Sequence, residues 1–267
     1  MKVEGSVIAI SGASSGLGRA LALELASRRP SGFLLMARRA DALEKVVAEL
    51  AAKGVKAIAV VTDVEQRESV DAAFSKAEAT FGPVDIAVAN AGMAVNHNAC
   101  SPDTDLLVKT FSVNVFGLVH VLHRAIPSMV ERGAGQIVGV SSVAGYRGLP
   151  GNAAYSSSKA AVSNLMEGYT NELAPKGVEV TLIEPGFVRT EMTARNTFKM
   201  PFIMEAHEGA ALMAKAIERG KPHLIFPWQM GLFMGAIKAA PRSVFYRLGA
   251  VMLKSREAWQ ADGAEGK

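Results

Sequence analysis

One cysteine, Cys100, stands in 267 residues. A single thiol allows no internal disulfide and rules out a cysteine-based zinc site, so a reducing, cytoplasmic setting is expected. Aromatic residues are also few, at 6%, and they do not interleave with basic ones. The net charge of +4 comes from residues scattered through Arg28, Arg38, Lys53, Arg124 and Lys176. That distribution offers no stripe for a nucleic-acid backbone, so no nucleic-acid partner is expected. A mild positive field suits a phosphorylated cofactor or an anionic substrate instead. Met1 to Val7 holds one lysine and no apolar run, unlike a signal peptide. The uncharged run His223–Ile237 has 15 residues and contains Pro227, short of the roughly 20 that a spanning helix needs. His120 and His123 stand three apart without a third ligand nearby, and His97, His207 and His223 fit no motif, so no metal is expected.

What is present is the material of a core. Hydrophobic residues make up 49% of the chain and charged ones 20%, the balance of a globular protein. No linker or internal repeat breaks the middle. Residues 1–227 are expected to form one body, with residues 228–267 a helical extension of the same domain. Val7–Ser11, Gly32–Ala37, Ala57–Thr62, Val84–Ala89, Gln136–Ser141 and Val178–Glu184 read as strands apolar on both sides. Helical stretches lie between them, at Gly18–Arg29, Ala40–Lys53, Gln66–Phe81, Leu107–Arg132 and Ala153–Lys176. Fully apolar strands separated by helices predict an α/β fold, a doubly wound parallel sheet with right-handed crossovers. Ligands of such sheets bind beyond the carboxyl ends of the strands. Gly12, Arg38, Asp63, Asn90, Ser142 and Pro185-Gly186 all fall on that edge.

The first strand runs into Ser11-Gly12-Ala13-Ser14-Ser15-Gly16-Leu17-Gly18 and then a helix. Glycines let the backbone approach a pyrophosphate, and a helix start offers free N–H donors with partial positive charge. The spacing is neither the commoner G-x-G-x-x-G nor a P-loop. The second strand ends in Arg38-Arg39 with no carboxylate. A free ribose 2′-hydroxyl wants an acidic acceptor there, whereas a 2′-phosphate wants a guanidinium. NADP(H) is therefore the expected cofactor, with NAD(H) the weaker alternative, and Arg38 ranks above Arg39 as its selector.

Tyr155 and Lys159, at i and i+4, share one face of a predicted helix. A phenol titrates near 10, too high for acid–base work at neutrality, and a lysine alongside is expected to bring it down. Ser142, after its strand, can polarise a carbonyl oxygen while Tyr155 supplies the proton. Ser141 is the neighbouring candidate, but strand alternation turns it to the other face.

Taken together, these residues resemble the short-chain dehydrogenase/reductase family over about residues 5–225. Gly12, Gly16 and Gly18 match its glycine motif, with Ser11 where threonine is commoner. The resemblance implies further roles. Asp63-Val64 would lie beside the adenine, Asn90-Ala91-Gly92 would support the central sheet, and Asn114 would join Ser142, Tyr155 and Lys159 as a fourth catalytic position. Pro185-Gly186, Val188 and Thr190 would orient the nicotinamide carboxamide. It also implies a Rossmann-type sheet of order 3-2-1-4-5-6-7, hydride transfer between a nicotinamide cofactor and a carbonyl or alcohol, and a homodimer or homotetramer. A non-catalytic NADP-binding regulator and a sugar-nucleotide epimerase or dehydratase are the alternatives. The intact Ser142, Tyr155, Lys159 and Asn114 set argues against the first, and the glycine spacing and modest length against the second.

Substrate choice is expected to lie in Glu191–Glu208 and in the C-terminal segment. Met192, Phe198, Met200, Phe202, Ile203 and Met204 suggest an apolar lid over a bulky hydrophobic ketone. More loosely, the chain is similar to reductases of lipid-like ketones, such as 3-ketosphinganine reductases. Between Lys238 and Arg256 five basic residues occur without an acidic one. Val244, Phe245, Leu248, Val251 and Met252 recur there at near-helical spacing, which suits a substrate lid, a subunit contact or peripheral contact with an anionic membrane.

Overall fold

A computed structural model describes residues 2–95, 99–196 and 200–250. Parallel strands β1 (Val7–Ser11), β2 (Gly32–Ala37), β3 (Ala57–Val61), β4 (Ile86–Ala89), β5 (Gly135–Val140) and β6 (Val178–Pro185) appear where the apolar runs predict them. Two short strands, β7 (Val188–Arg189) and β8 (Met204–Glu205), pair with each other, and β9 (His223–Phe226) joins β6. The main sheet has the order β3-β2-β1-β4-β5-β6-β9. Because β7 and β8 lie outside it, β9 is its seventh strand, and the expected Rossmann-type order 3-2-1-4-5-6-7 holds. In the sequence, His223–Phe226 falls inside an uncharged run that marks no strand. Four residues are too few to show a period.

Alternation along each strand feeds two cores. Ile8, Ile10, Phe33 and Leu35 point to one face, where α1 (Gly16–Leu25), α2 (Ala40–Ala52) and α7 (Ala206–Glu218) add Leu21, Leu43, Leu50, Met213 and Ile217. Val7, Ala9, Leu34 and Met36 point to the other, covered by α3 (Arg67–Phe81), α5 (Gly117–Arg132) and α6 (Ala153–Leu173) through Phe74, Leu122, Met129, Val162 and Met166.

The helix expected over Leu107–Arg132 is not continuous. α4 (Thr104–Phe111) passes into a π-helical turn, Ser112–Phe116, before α5 begins. Length and composition alone would let Thr104–Arg132 cross a membrane. Here Val113, Leu118, Val121, Leu122 and Met129 are buried in the second core, which accounts for the apolar content. A π turn often re-aims a side chain at a functional site, and this one carries Asn114. Beyond β9, α8 (Trp228–Ala239) and a helix from residue 242 close the described chain.

Candidate active site

The glycine turn is built by close approach of backbones. A Cβ on Gly12 would stand 2.8 Å from Ala91 Cα and 2.9 Å from Asn90 Nδ2, and one on Gly18 would stand 2.4 Å from the Gly12 carbonyl oxygen. Only bare α-carbons fit at these two positions. Ser11 Oγ accepts hydrogen bonds from the amides of Asn90 (3.0 Å) and Ala91 (3.1 Å), and Asn90 Nδ2 donates to the Ser11 carbonyl at 3.0 Å. A hydroxyl at position 11 thus ties β1 to β4. α1 starts at Gly16, two residues before the expected Gly18, with Ser15 as its N-cap and no side-chain cap bond. The first-turn amides of Gly16, Leu17 and Gly18 therefore lack intrahelical acceptors and are available to an anion.

At the end of β2 the two arginines separate. Arg38 is exposed. Arg39 reaches the glycine turn, donating to Ser14 Oγ at 3.5 Å, and pairs with Glu191 at 3.1 Å. Asp63 spends one carboxylate oxygen on the Glu65 amide at 3.1 Å, and Val64 is buried beneath Gly117.

Asn114, Ser142, Tyr155 and Lys159 converge from three elements. The Asn114 side chain accepts from the Met93 amide (2.8 Å) and donates to the Met93 carbonyl (2.9 Å) and to Ser158 Oγ (3.0 Å), so the π turn is fastened to α6. Lys159 Nζ donates to the Val140 carbonyl at 2.9 Å and lies 5.8 Å from the Tyr155 ring centroid. A Cβ on Gly92 would sit 3.3 Å from Asn114 Oδ1 and 3.5 Å from Lys159 Nζ, so the missing side chain leaves a recess between them. Ser142 is near enough to Tyr155 for its hydroxyl to act on the phenol. The same hydroxyl accepts from the Ala144 amide at 3.1 Å and donates to the Pro185 carbonyl at 3.3 Å. Ser141 instead donates to the Lys159 carbonyl at 2.7 Å.

The protonation balance differs from the sequence expectation. Burial raises the Tyr155 phenol, against a lowering by the Ser142 hydrogen bond. Burial also lowers Lys159, to about 8. The Lys159 ammonium is itself desolvated and donates to Val140, so burial governs both groups.

The remaining expected positions line the same edge. Gly186 donates to the Phe226 carbonyl at 2.7 Å, and a Cβ on it would meet Met230 at 2.8 Å. Val188 is buried, and its carbonyl accepts from Thr193 Oγ1 at 2.6 Å. Thr190 Cγ2 would be 3.3 Å from a Cβ on Gly16, so this segment faces the glycine turn across the cleft. Of the expected lid, Met192 and Phe202 are exposed, Met204 is pinned in β8, and Phe198 lies outside the described residues.

Sequence reasoning missed two groups. Glu184 is 2% exposed and bonds to Tyr146 (2.8 Å), Ser163 (2.7 Å) and His223 (2.7 Å). Burial would raise its carboxyl, but the hydrogen bonds outweigh burial and hold it below the usual range. Ser163 also lies 2.8 Å from Ser141 Oγ, so the network reaches the strand end that bears Ser142. A carboxylate directly after the apolar pair Leu182-Ile183, at the strand end, was the available signal. Arg147 donates to the carbonyls of Ile237 (3.2 Å), Lys238 (2.6 Å) and Ala240 (2.6 Å), with its guanidinium 5.3 Å from the Phe245 ring centroid. It ties the loop after β5 to the end of α8.

A parallel sheet in this order, a glycine turn at its first helix and a tyrosine–lysine pair beside a strand-end serine define a dinucleotide-binding type of oxidoreductase. The comparisons agree. Residues 6–200 match the family model described as short chain dehydrogenase, and the chain belongs to the short-chain dehydrogenase/reductase family. It is 42% identical over 236 residues to an uncharacterized oxidoreductase of Myxococcus xanthus, covering 88% of this chain and 93% of that one. A short-chain dehydrogenase/reductase from Burkholderia phymatum, solved in complex with NAD, superposes with a TM-score of 0.81 at 27% identity, over 88% of this chain and 93% of that one. A short-chain dehydrogenase from Sphingobium yanoikuyae in complex with NADPH gives 0.76 at 27%, over 88% and 96%. The protein is thus an oxidoreductase of this family.

Proposed function

We propose that the protein is an NADP(H)-dependent carbonyl reductase or alcohol dehydrogenase acting on a hydrophobic, lipid-like ketone or secondary alcohol. The observation that carries this reading is the convergence of Ser142, Tyr155, Lys159 and Asn114 on the sheet edge that holds the glycine turn. The dinucleotide fits the cradle. Bare Gly12 and Gly18 would give its pyrophosphate backbone access, and the amides of Gly16, Leu17 and Gly18 would hold it. Arg39 beside Ser14 suits a 2′-phosphate, with Arg38 adding charge nearby. Asp63 and Val64 would flank the adenine. Pro185, Gly186, Val188 and Thr190 would border the nicotinamide, with Asn90, Ala91 and Gly92 behind it. The neighbours solved with NADPH and with NAD support a nicotinamide cofactor and keep NAD(H) as the weaker alternative.

When bound, the cofactor supplies or accepts the hydride. Ser142 holds the substrate oxygen, and Tyr155 gives that oxygen a proton during reduction or takes one during oxidation. Burial keeps the phenol protonated at neutral pH, the form that reduction needs. Lys159 and Asn114 face the recess at Gly92, a route by which the phenol can be reprotonated.

The apolar wall supports the substrate class. Val143, Met230 and Met234 are buried together, with Leu149, Phe187 and Ile237 packed on them, beside Ser142 and Gly186. Exposed Leu107, Val108 and Phe116 on α4 and the π turn support self-association into a homodimer or homotetramer through that face. The test is NADPH oxidation against aliphatic, steroid and 3-oxoacyl ketones. Turnover that rises with apolar bulk is expected, and no turnover with any ketone would remove the reading.

A further inference from the structure

Apart from Gln229 and Lys238, α8 is apolar, yet among the described residues only one of its faces is covered. In Trp228–Ala239 the sole charged residue is Lys238. Met230 and Met234 are buried and Ile237 is packed beside them, one helical stripe turned to the site wall. Trp228 and Leu232, one turn apart on the opposite stripe, are 67% and 66% exposed, and Phe233 beside them is 46% exposed. A helix apolar on every side belongs in a core or in lipid, not against water.

The helix that follows repeats the pattern and corrects the face expected from sequence. Phe245 and Gly249 turn inward, Phe245 under the Arg147 guanidinium and Gly249 against Pro150. Val244, Tyr246 and Leu248 turn outward with Arg242 and Arg247. Val251, Met252, Lys254 and Arg256 lie outside the described residues. From Lys221 to Arg256 the sequence contains no aspartate or glutamate. Six large apolar side chains with a tryptophan and a tyrosine among them, interspersed with arginine and free of acid, match the boundary layer of an anionic bilayer. A symmetric contact of this stretch with the same stretch of a second copy would offer Arg242 and Arg247 no carboxylate to pair with.

We infer that the outer faces of α8 and of residues 242–250 rest on an anionic lipid bilayer. The inner faces of the same helices wall the proposed substrate site, and Arg147 ties them to the turn after Ser142. A ketone dissolved in the bilayer would therefore meet the site without crossing water. This part rests on the proposed function; the docking itself does not.

Co-sedimentation of the full chain with vesicles of phosphatidylcholine alone, and of phosphatidylcholine mixed with phosphatidylserine, tests the docking at low and high salt. Binding to the mixed vesicles that falls with salt is expected. The triple variant Trp228→Ser, Leu232→Ser, Phe233→Ser should lose it. The pair Arg242→Gln, Arg247→Gln should weaken it by roughly fivefold for each arginine. NADPH titration by fluorescence confirms that each variant is folded, and Trp228→Ser alone serves if the triple variant is not. Failure of the wild type to bind, or undiminished binding by the serine variants, would overturn the proposal. So would a change from dimer to monomer in the serine variant without vesicle binding by the wild type, which would assign the face to a second copy. Turnover of a short soluble ketone without vesicles is measured in parallel. Turnover without docking leaves the proposed function standing, and docking without turnover on any ketone does the reverse.

Discussion

The two halves of the active edge are built differently. Around β1 and β4 the cleft is made of backbone: Gly12 against Ala91, Gly18 against the Gly12 carbonyl, and free amides at the start of α1. Around β5, β6 and β9 it is made of side chains from distant places. Glu184 meets Tyr146 across 38 residues, and Arg147 meets Lys238 across 91. A backbone cradle suits a dinucleotide common to a family, because phosphates need donors and room more than shape. A side-chain wall can be exchanged without disturbing that cradle, which is how one fold serves many substrates.

The contrast can be broken most directly at the phenol. Tyr155→Phe should lower ketone reduction by ~10²–10⁴ while NADPH affinity by fluorescence stays unchanged. Near-normal turnover would leave the convergence of these side chains without a catalytic meaning. Ser142→Ala should cost roughly 10²-fold in kcat, in proportion to one lost donor at the substrate oxygen.

Lys159 supplies a sharper test through pH. Its ammonium, lowered to about 8 by burial, is charged below that value and neutral above it. If reprotonation of the phenol needs the charged form, kcat/KM for reduction should hold at neutrality and fall as pH rises through about 8. A profile flat beyond pH 9–10, roughly one to two units above that value, would take lysine out of the proton route.

On the backbone side, Arg39→Asp should shift the NADPH-to-NADH ratio of kcat/KM by about ten- to a hundredfold. Arg38→Asp should do less, since only Arg39 is turned to Ser14. A larger effect at Arg38 would restore the ranking expected from sequence. The smallest effect is expected at Arg147→Leu. Loss of its bonds to the end of α8 should cost about 1–2 kcal/mol in thermal or urea unfolding. It should also raise KM for long-chain ketones more than for short ones. Equal changes for both would separate the C-terminal helices from substrate choice.

Much of this is legible in the sequence. β1 and β2 fall where their apolar runs place them, because a buried parallel strand must be apolar on both faces. Tyr155 and Lys159 share a helix face because the helical repeat is local. Other features left no local trace. The π turn at Asn114 adds no residue type that a regular helix would refuse, so Leu107–Arg132 reads as one helix. β9 is four residues beside a proline, and only β6 makes it a strand.

What the sequence determined by itself is whatever depends on neighbours along the chain: strand and helix periods, the glycine spacing, and the order of motifs along one sheet edge. Only the tertiary structure decided which arginine turns to the glycine turn, how burial shifts Tyr155 and Lys159, and that Glu184 and Arg147 tie the ends of β5, β6 and β9 to α8. Those outcomes depend on distances between residues far apart in the chain and on exclusion of water. Desolvation and hydrogen-bond geometry arise only once the sheet has brought its strand ends together.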